Sequence, residues 1–191
     1  MVCTLKYGNT NTFFVGEGLL IDTDFAGTLP AFFRTLKSKG IKISDIQYVI
    51  ATHYHPDHCG LISELMELGI KLVLVDNQME YIHFSDEIFS RIKGLQYKSI
   101  QGEKAHSITF EESRMFLRSF GINGEIFPTR SHSSDGIAIS LDSGECFVGD
   151  VEPFAYLNGY EENPALKQDW ETISSYCPKV IYHAHANEKR L

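Results

Sequence analysis

The order of apolar and polar positions divides the chain into short extended segments and amphipathic helices. Residues 5–7, 12–15 and 19–21 are β-prone and are separated by Gly8-Asn9 and Gly16-Glu17-Gly18, which predicts three short strands joined by turns. Leu29, Phe32, Phe33 and Leu36 recur at i, i+3, i+4 and i+7, with Pro30 in the first turn and Gly40 past the end. A helix starting near Thr28, with these four on one apolar stripe, is expected there. Residues 47–51 form an apolar, β-branched run and read as a buried strand. A helix from about Cys59 to Leu68, closed by Gly69, and a strand over 71–75 follow.

Residues 77–108 carry no clear period and read as mixed helix and loop with several aromatics. Beyond them, Thr109 opens a helix that Gly121 ends, and strands are expected at 125–129, 136–141 and 146–149, the last two joined by Asp142-Ser143-Gly144. Asn163-Pro164 starts a last helix running to about Tyr176, and 179–182 is a final strand. Strands alternating with helices argue for an α/β protein, read here as a single domain over 1–191.

Composition narrows the partners rather than the fold. A net charge of −8 disfavours nucleic acid, and no stretch approaches the length of a membrane span. The start of the chain lacks the basic flank and apolar run of a signal peptide. Cys3, Cys59, Cys146 and Cys177 are widely spaced with no CxxC pair, which suits free thiols, so the cytoplasm is the expected compartment. A small-molecule substrate is the expected partner, without nucleic acid or membrane, and a homodimer is an admissible assembly.

The chemistry concentrates in Thr52-His53-Tyr54-His55-Pro56-Asp57-His58, directly after the strand expected at 47–51. On an extended segment His53 and His55 point to the same side and can grip one ion. Pro56 turns the chain, so Asp57 and His58 can face a second ion at a helix start. Imidazole and carboxylate are ligands for zinc, iron and manganese alike. A surface histidine-rich loop is the alternative, but three histidines and an aspartate in this spacing make it the weaker one.

These residues resemble the HxHxDH signature of the metallo-β-lactamase-fold hydrolases, and the resemblance extends over most of the chain. Residues 11–15 through Leu20-Ile21-Asp22-Thr23 are similar to the family's opening hairpin and "LIDTG" turn, with Asp24 in place of the glycine. Ser131-His132-Ser133 resembles the "GHT/GHS" element with Ser131 replacing glycine, and Phe147-Val148-Gly149-Asp150 resembles "F-x-GD". Ile181-Tyr182-His183-Ala184-His185-Ala186 is similar to "vyPGHG", with His183 at the proline.

The resemblance implies a four-layer αββα sandwich of two mixed sheets flanked by helices. It implies that His53, His55 and His132 hold a first metal and Asp57, His58 and His185 a second, with Asp150 bridging; His185 is preferred over His183 by motif register. The expected cofactor is two divalent transition-metal ions, zinc foremost, with iron or manganese as alternatives. The expected activity is hydrolysis of a small ester, thioester, lactone or phosphodiester by a water the two ions share and ionise, with Asp57 orienting it. Support for the ligands is expected from Thr52, Asp22 or Ser131. Two other readings are an iron-dependent oxidoreductase on the same fold, either persulfide dioxygenase-like or di-iron, and a ligand-binding member without turnover. For the di-iron type a glutamate in place of His55 would be expected.

Several residues carry a plainer expectation. Cys59 and Cys146 read as small packed residues, His83 and His106 as surface or pocket wall, and Trp170 as packing against the sheet. Tyr81, Phe84, Tyr97, Tyr156 and Tyr160 are read as core before pocket lining, and Glu161-Glu162 as a solvated pair.

Overall fold

The computed structural model describes residues 2–159 and 163–191, so Tyr160, Glu161 and Glu162 lie outside the described residues. The chain forms two compact units, residues 1–109 and 110–191. The first holds a six-stranded sheet in sequential order, β1 (Val2–Lys6), β2 (Asn11–Val15), β3 (Leu19–Ile21), β4 (Tyr48–Ile50), β5 (Lys71–Val75) and β6 (His106–Ile108). β1, β2 and β3 pair antiparallel, as a meander with tight turns must; β3 to β6 pair parallel, each through a crossover. One face of this sheet, through Leu20, Val49, Leu72 and Leu74, packs with Phe32 and Leu36 of α1 (Leu29–Lys39) and Leu65 of α3 (Ile62–Glu67). Residues at alternate positions, Phe13, Ile21, Ile50, Val73 and Val75, are buried as well, so the strands are apolar on both faces.

Helix α1 lies where the apolar stripe predicts it, and Gly40 ends it in the left-handed region at φ 71°. Phe33 departs from expectation: it is exposed, because Phe32 and Leu36 define the packed face and Phe33 falls beside it. The single helix expected from Cys59 to Leu68 is in fact two, α2 (Pro56–Cys59) and α3, broken at Gly60-Leu61. A Cβ at Gly60 would lie 2.2 Å from the Ala26 nitrogen and 2.5 Å from the Asp24 oxygen, so the 24–26 backbone packs where a side chain would be. In the segment without clear period the chain forms α4 (Asp86–Ser90) and then the unexpected strand β6. β6 is three residues, two of them exposed, which leaves almost no apolar alternation to read.

The second unit carries a five-stranded sheet in the order β11-β10-β9-β8-β7, comprising β7 (Gly124–Pro128), β8 (Ile137–Leu141), β9 (Glu145–Phe147), β10 (Val180–Tyr182) and β11 (Lys189–Arg190). β8 runs antiparallel to both β7 and β9, and β10 parallel to β9, so β7, β9 and β10 all end at the same edge. Phe127, Ala138, Cys146 and Ile181 on one face pack against Leu166, Trp170 and Ile173 of α6 (Pro164–Ser175), and α5 (Phe110–Arg118) packs on β7. Asn163 caps α6 by accepting from the Leu166 N–H at 3.0 Å. Cys59 and Cys146 are buried, as their plainer reading expects. No helix among the described residues is long and apolar enough to cross a membrane.

Candidate metal centre

In the first unit the site begins where two parallel strands end side by side. β3 delivers Asp22 and β4 delivers Thr52 to His58, as expected of loops at the C-terminal edge of a parallel sheet. Asp22 sits in the left-handed region at φ 57°, which a short polar side chain tolerates. That turn points its carboxylate across to the next strand. Its Oδ1 accepts the Thr52 N–H at 2.6 Å, and its Oδ2 accepts the Thr52 hydroxyl at 2.9 Å and lies 3.1 Å from His58 Nδ1. Asp22 and His58 are both fully buried.

His55 keeps an extended backbone and accepts from the His58 and Cys59 N–H groups, so α2 starts directly on it with Pro56 in its first turn. This places three imidazoles in contact: the His53 and His55 ring centroids are 4.4 Å apart and those of His53 and His58 4.0 Å apart. His53 Nε2 is 3.0 Å from His55 Nδ1, and Thr52 Oγ1 lies 3.3 Å from His53 Nδ1. Asp57 turns outward, its Oδ2 3.9 Å from His58 Nε2 and 3.5 Å from the Thr10 hydroxyl. The loop is held from beneath: Ser85 Oγ donates to the Tyr54 carbonyl at 2.7 Å and Gln78 Nε2 to the Ala51 carbonyl at 2.9 Å. Asp24, at the position of the motif glycine, takes up the Thr10 and Phe25 N–H groups at 3.1 and 2.7 Å.

In the second unit His132 follows β7, Asp150 follows β9 and His185 follows β10, all at one sheet edge. Asp150 turns one oxygen to each imidazole, with Oδ2 3.6 Å from His132 Nε2 and Oδ1 3.3 Å from His185 Nε2. Gly149, at φ 57°, makes the turn that aims this carboxylate, and its carbonyl accepts the Ala184 N–H at 3.1 Å, tying the 149–150 turn to the 183–185 turn. His183 points elsewhere: it is buried near the Trp170 ring, and burial holds its imidazole below the usual histidine range. Ser131 needs no glycine backbone, since it lies outside the left-handed region, and its own N–H donates to Asp169 Oδ2 at 2.8 Å beside the Arg130 N–H on Oδ1 at 3.0 Å. Asp169 therefore clamps the turn carrying His132, a role no local pattern in α6 signals.

The chain belongs to the metallo-beta-lactamase superfamily. The superfamily profile matches residues 5–157. An atrochrysone carboxyl ACP thioesterase of Pseudocercospora fijiensis is 24% identical over 182 residues, covering 92% of this chain and 47% of the relative. The lactamase-like protein nscB of Trichophyton rubrum is 26% identical over 188 residues, covering 95% of this chain and 56% of the relative. The chain thus spans about half the length of these curated relatives. A metallo-beta-lactamase family protein from Thermus thermophilus has the same fold, with a TM-score of 0.68 at 17% identity over 100% of this chain and 74% of that one. The expected α/β fold with two mixed sheets is therefore the observed one.

The donor chemistry fits a transition-metal ion. The first unit offers three contacting imidazoles and a carboxylate, with the buried Asp22 carboxylate behind His58 in the carboxylate–histidine arrangement that fixes a ligand's tautomer. The second offers two imidazoles on one carboxylate. Of the residues expected to support the ligands, Thr52 and Asp22 touch them, whereas Ser131 acts through its backbone.

The aromatic expectations divide. Tyr81 and Tyr97 pack against the first unit's core, but Tyr156 and Phe84 are exposed, contrary to their reading as core. Tyr156 lies in a five-residue turn, Phe154–Asn158, which is too short to bury every aromatic it carries. Phe84 rests its ring 5.3 Å from that of His55.

Proposed function

We propose that the two units work as one domain and form a dinuclear metal-dependent hydrolase. In this reading His53, His55 and His132 would hold one ion and Asp57, His58 and His185 the other, with Asp150 available to both. The observation that carries it is the carboxylate-backed imidazole cluster at the end of β4, because packing four titratable side chains together serves a cation better than it serves a core. When bound, such an ion pair acidifies a water and draws charge from a carbonyl or phosphoryl oxygen. Asp22 fixes the His58 ring through Nδ1 and leaves Nε2 turned toward Asp57. In this reading Asp57, about one-third exposed and within reach of the Thr10 hydroxyl, orients the attacking water and takes its proton.

Thioester and ester cleavage stand first among the substrates, supported by the thioesterase among the relatives; lactones and phosphodiesters follow. Zinc is the expected metal, with iron or manganese as alternatives. Elemental analysis of the purified protein, joined to a screen of p-nitrophenyl esters, phosphodiesters, lactones and acyl thioesters, tests the proposal. The expected result is about two ions per chain and a hydrolytic rate that a chelator removes and added zinc restores. Full activity after metal removal, or full metal retention in both His55→Ala and Asp150→Ala, would refute it.

A further inference from the structure

Asp24 stands at the glycine of the family's turn, yet its backbone lies outside the left-handed region that would call for one. What the aspartate adds is a buried side chain that reaches the turn between β1 and β2. Its Oδ2 accepts the Thr10 N–H at 3.1 Å and its Oδ1 the Phe25 N–H at 2.7 Å. A Cβ at Gly8 would lie 2.1 to 2.6 Å from the carboxylate atoms, so residue 8 must lack a side chain for the turn to close on Asp24. Thr10 is fully buried, and among the described residues the acceptor for its hydroxyl is Asp57 Oδ2, at 3.5 Å. A buried hydroxyl stays on such an acceptor, because leaving it strands the O–H away from water.

The turn that carries Asp24 is also fixed to α2. The Thr23 N–H and hydroxyl both donate to the His58 carbonyl, at 3.0 and 3.1 Å, and the Leu61 N–H donates to the Thr23 hydroxyl at 3.2 Å. The Asp24 carbonyl packs directly on Gly60. These contacts close a ring: Asp57 rides on α2, α2 is tied to residues 23–26, Asp24 holds Thr10, and Thr10 returns to Asp57.

We propose that Asp24 is a positioning residue for Asp57, acting through the Thr10 hydroxyl. This role rests on the reading of Asp57 as a ligand and deepens it. Asp57 sits on a four-residue helix with its side chain about one-third exposed, and the last torsion of an aspartate is soft. A donor on Oδ2 selects one setting, in which that oxygen lies between the Thr10 hydroxyl and His58 Nε2, 3.9 Å away. The end of β3 then serves both neighbouring ligands, Asp22 on His58 directly and Asp24 on Asp57 through Thr10.

The test uses the full chain, with zinc affinity read by competition with a chromophoric chelator, urea unfolding of the metal-free protein, and kcat and KM on the best ester of the screen. Thr10→Val removes the hydroxyl at nearly constant size, and Asp24→Gly restores the motif glycine. Each should weaken zinc binding about tenfold or more and lower kcat by a similar factor with KM held within about twofold, whereas Thr10→Ser keeps both near the parent values. In an Asp57→Ala background neither should weaken zinc binding further, because the effect passes through that carboxylate. Gly8→Ala should lower the urea midpoint of the parent and leave that of Asp24→Gly unaltered, which reads the tether without metal. Undiminished losses in the Asp57→Ala background, parent-like zinc affinity in Thr10→Val, or an equal Gly8→Ala effect in both backgrounds overturns the proposal. The expected zinc pattern without hydrolysis sinks the hydrolase reading and leaves the positioning role standing, and a parent protein that binds no zinc sinks both.

Discussion

Asp22→Asn separates what the buried carboxylate does for the fold from what it does for the ligand. The substitution keeps the size, the tolerance of φ 57° and one acceptor oxygen, so the Thr52 N–H at 2.6 Å retains its partner. The other oxygen becomes an amide NH2, which meets the His58 ring nitrogen 3.1 Å away as a donor facing a donor. His58 must then turn or change tautomer, and the loss of such a partner typically lowers metal affinity about 10–100-fold. Asp22→Ala removes the acceptor altogether. It leaves the Thr52 N–H and the His58 N–H buried, at about 1–3 kcal/mol each, or about 2–6 kcal/mol together. Urea unfolding of the metal-free proteins and competition against a chromophoric chelator measure the two effects independently. The expected order is a small stability loss with a large affinity loss for the asparagine variant, and large losses of both for alanine. If the asparagine variant bound zinc as tightly as the parent, Asp22 would have no part in orienting a ligand, and the role assigned to His58 would fall with it.

Three further outcomes follow from packing and burial. Gly60→Ala should cost about 3 kcal/mol or more in urea unfolding, because its Cβ meets backbone atoms of residues 24–26 at 2.2–2.5 Å; a loss below about 1 kcal/mol would mean this loop moves aside freely. Asp169→Ala strands the Arg130 and Ser131 N–H groups and should lower stability by about 2 kcal/mol or more while weakening metal binding; metal affinity equal to the parent's would show that the His132 turn holds its shape without the clamp. Burial pushes the Cys59 and Cys146 thiols up to about 12, so the unfolded chain releases these protons first and stability must fall as pH rises above the ordinary thiol range. Between pH 8 and pH 10 a Cys59→Ala/Cys146→Ala protein should lose about 2–3 kcal/mol less than the parent in urea titrations, and equal losses would contradict the sign.

Residue order alone determined what depends on neighbours a few positions apart. The α1 boundaries follow from Pro30 and Gly40 and a stripe of period 3.6, and β4 from a β-branched run too apolar to sit outside. The histidine cluster is legible for the same reason, since all four donors lie within six residues at one strand end. His132, Asp150 and His185 were readable only by their likeness to family motifs, because lone residues after strands carry no period of their own. The tertiary structure decided the rest. Asp22 reaches Thr52 across 30 positions and Asp169 reaches Ser131 across 38, pairings set by strand order and helix docking. The break at Gly60 depends on which backbone passes beside it, and the exposure of Phe84 on which side of the turn before α4 found a core. Local propensity acts over one or two turns, whereas a contact between distant segments exists only after sheet register has brought them together.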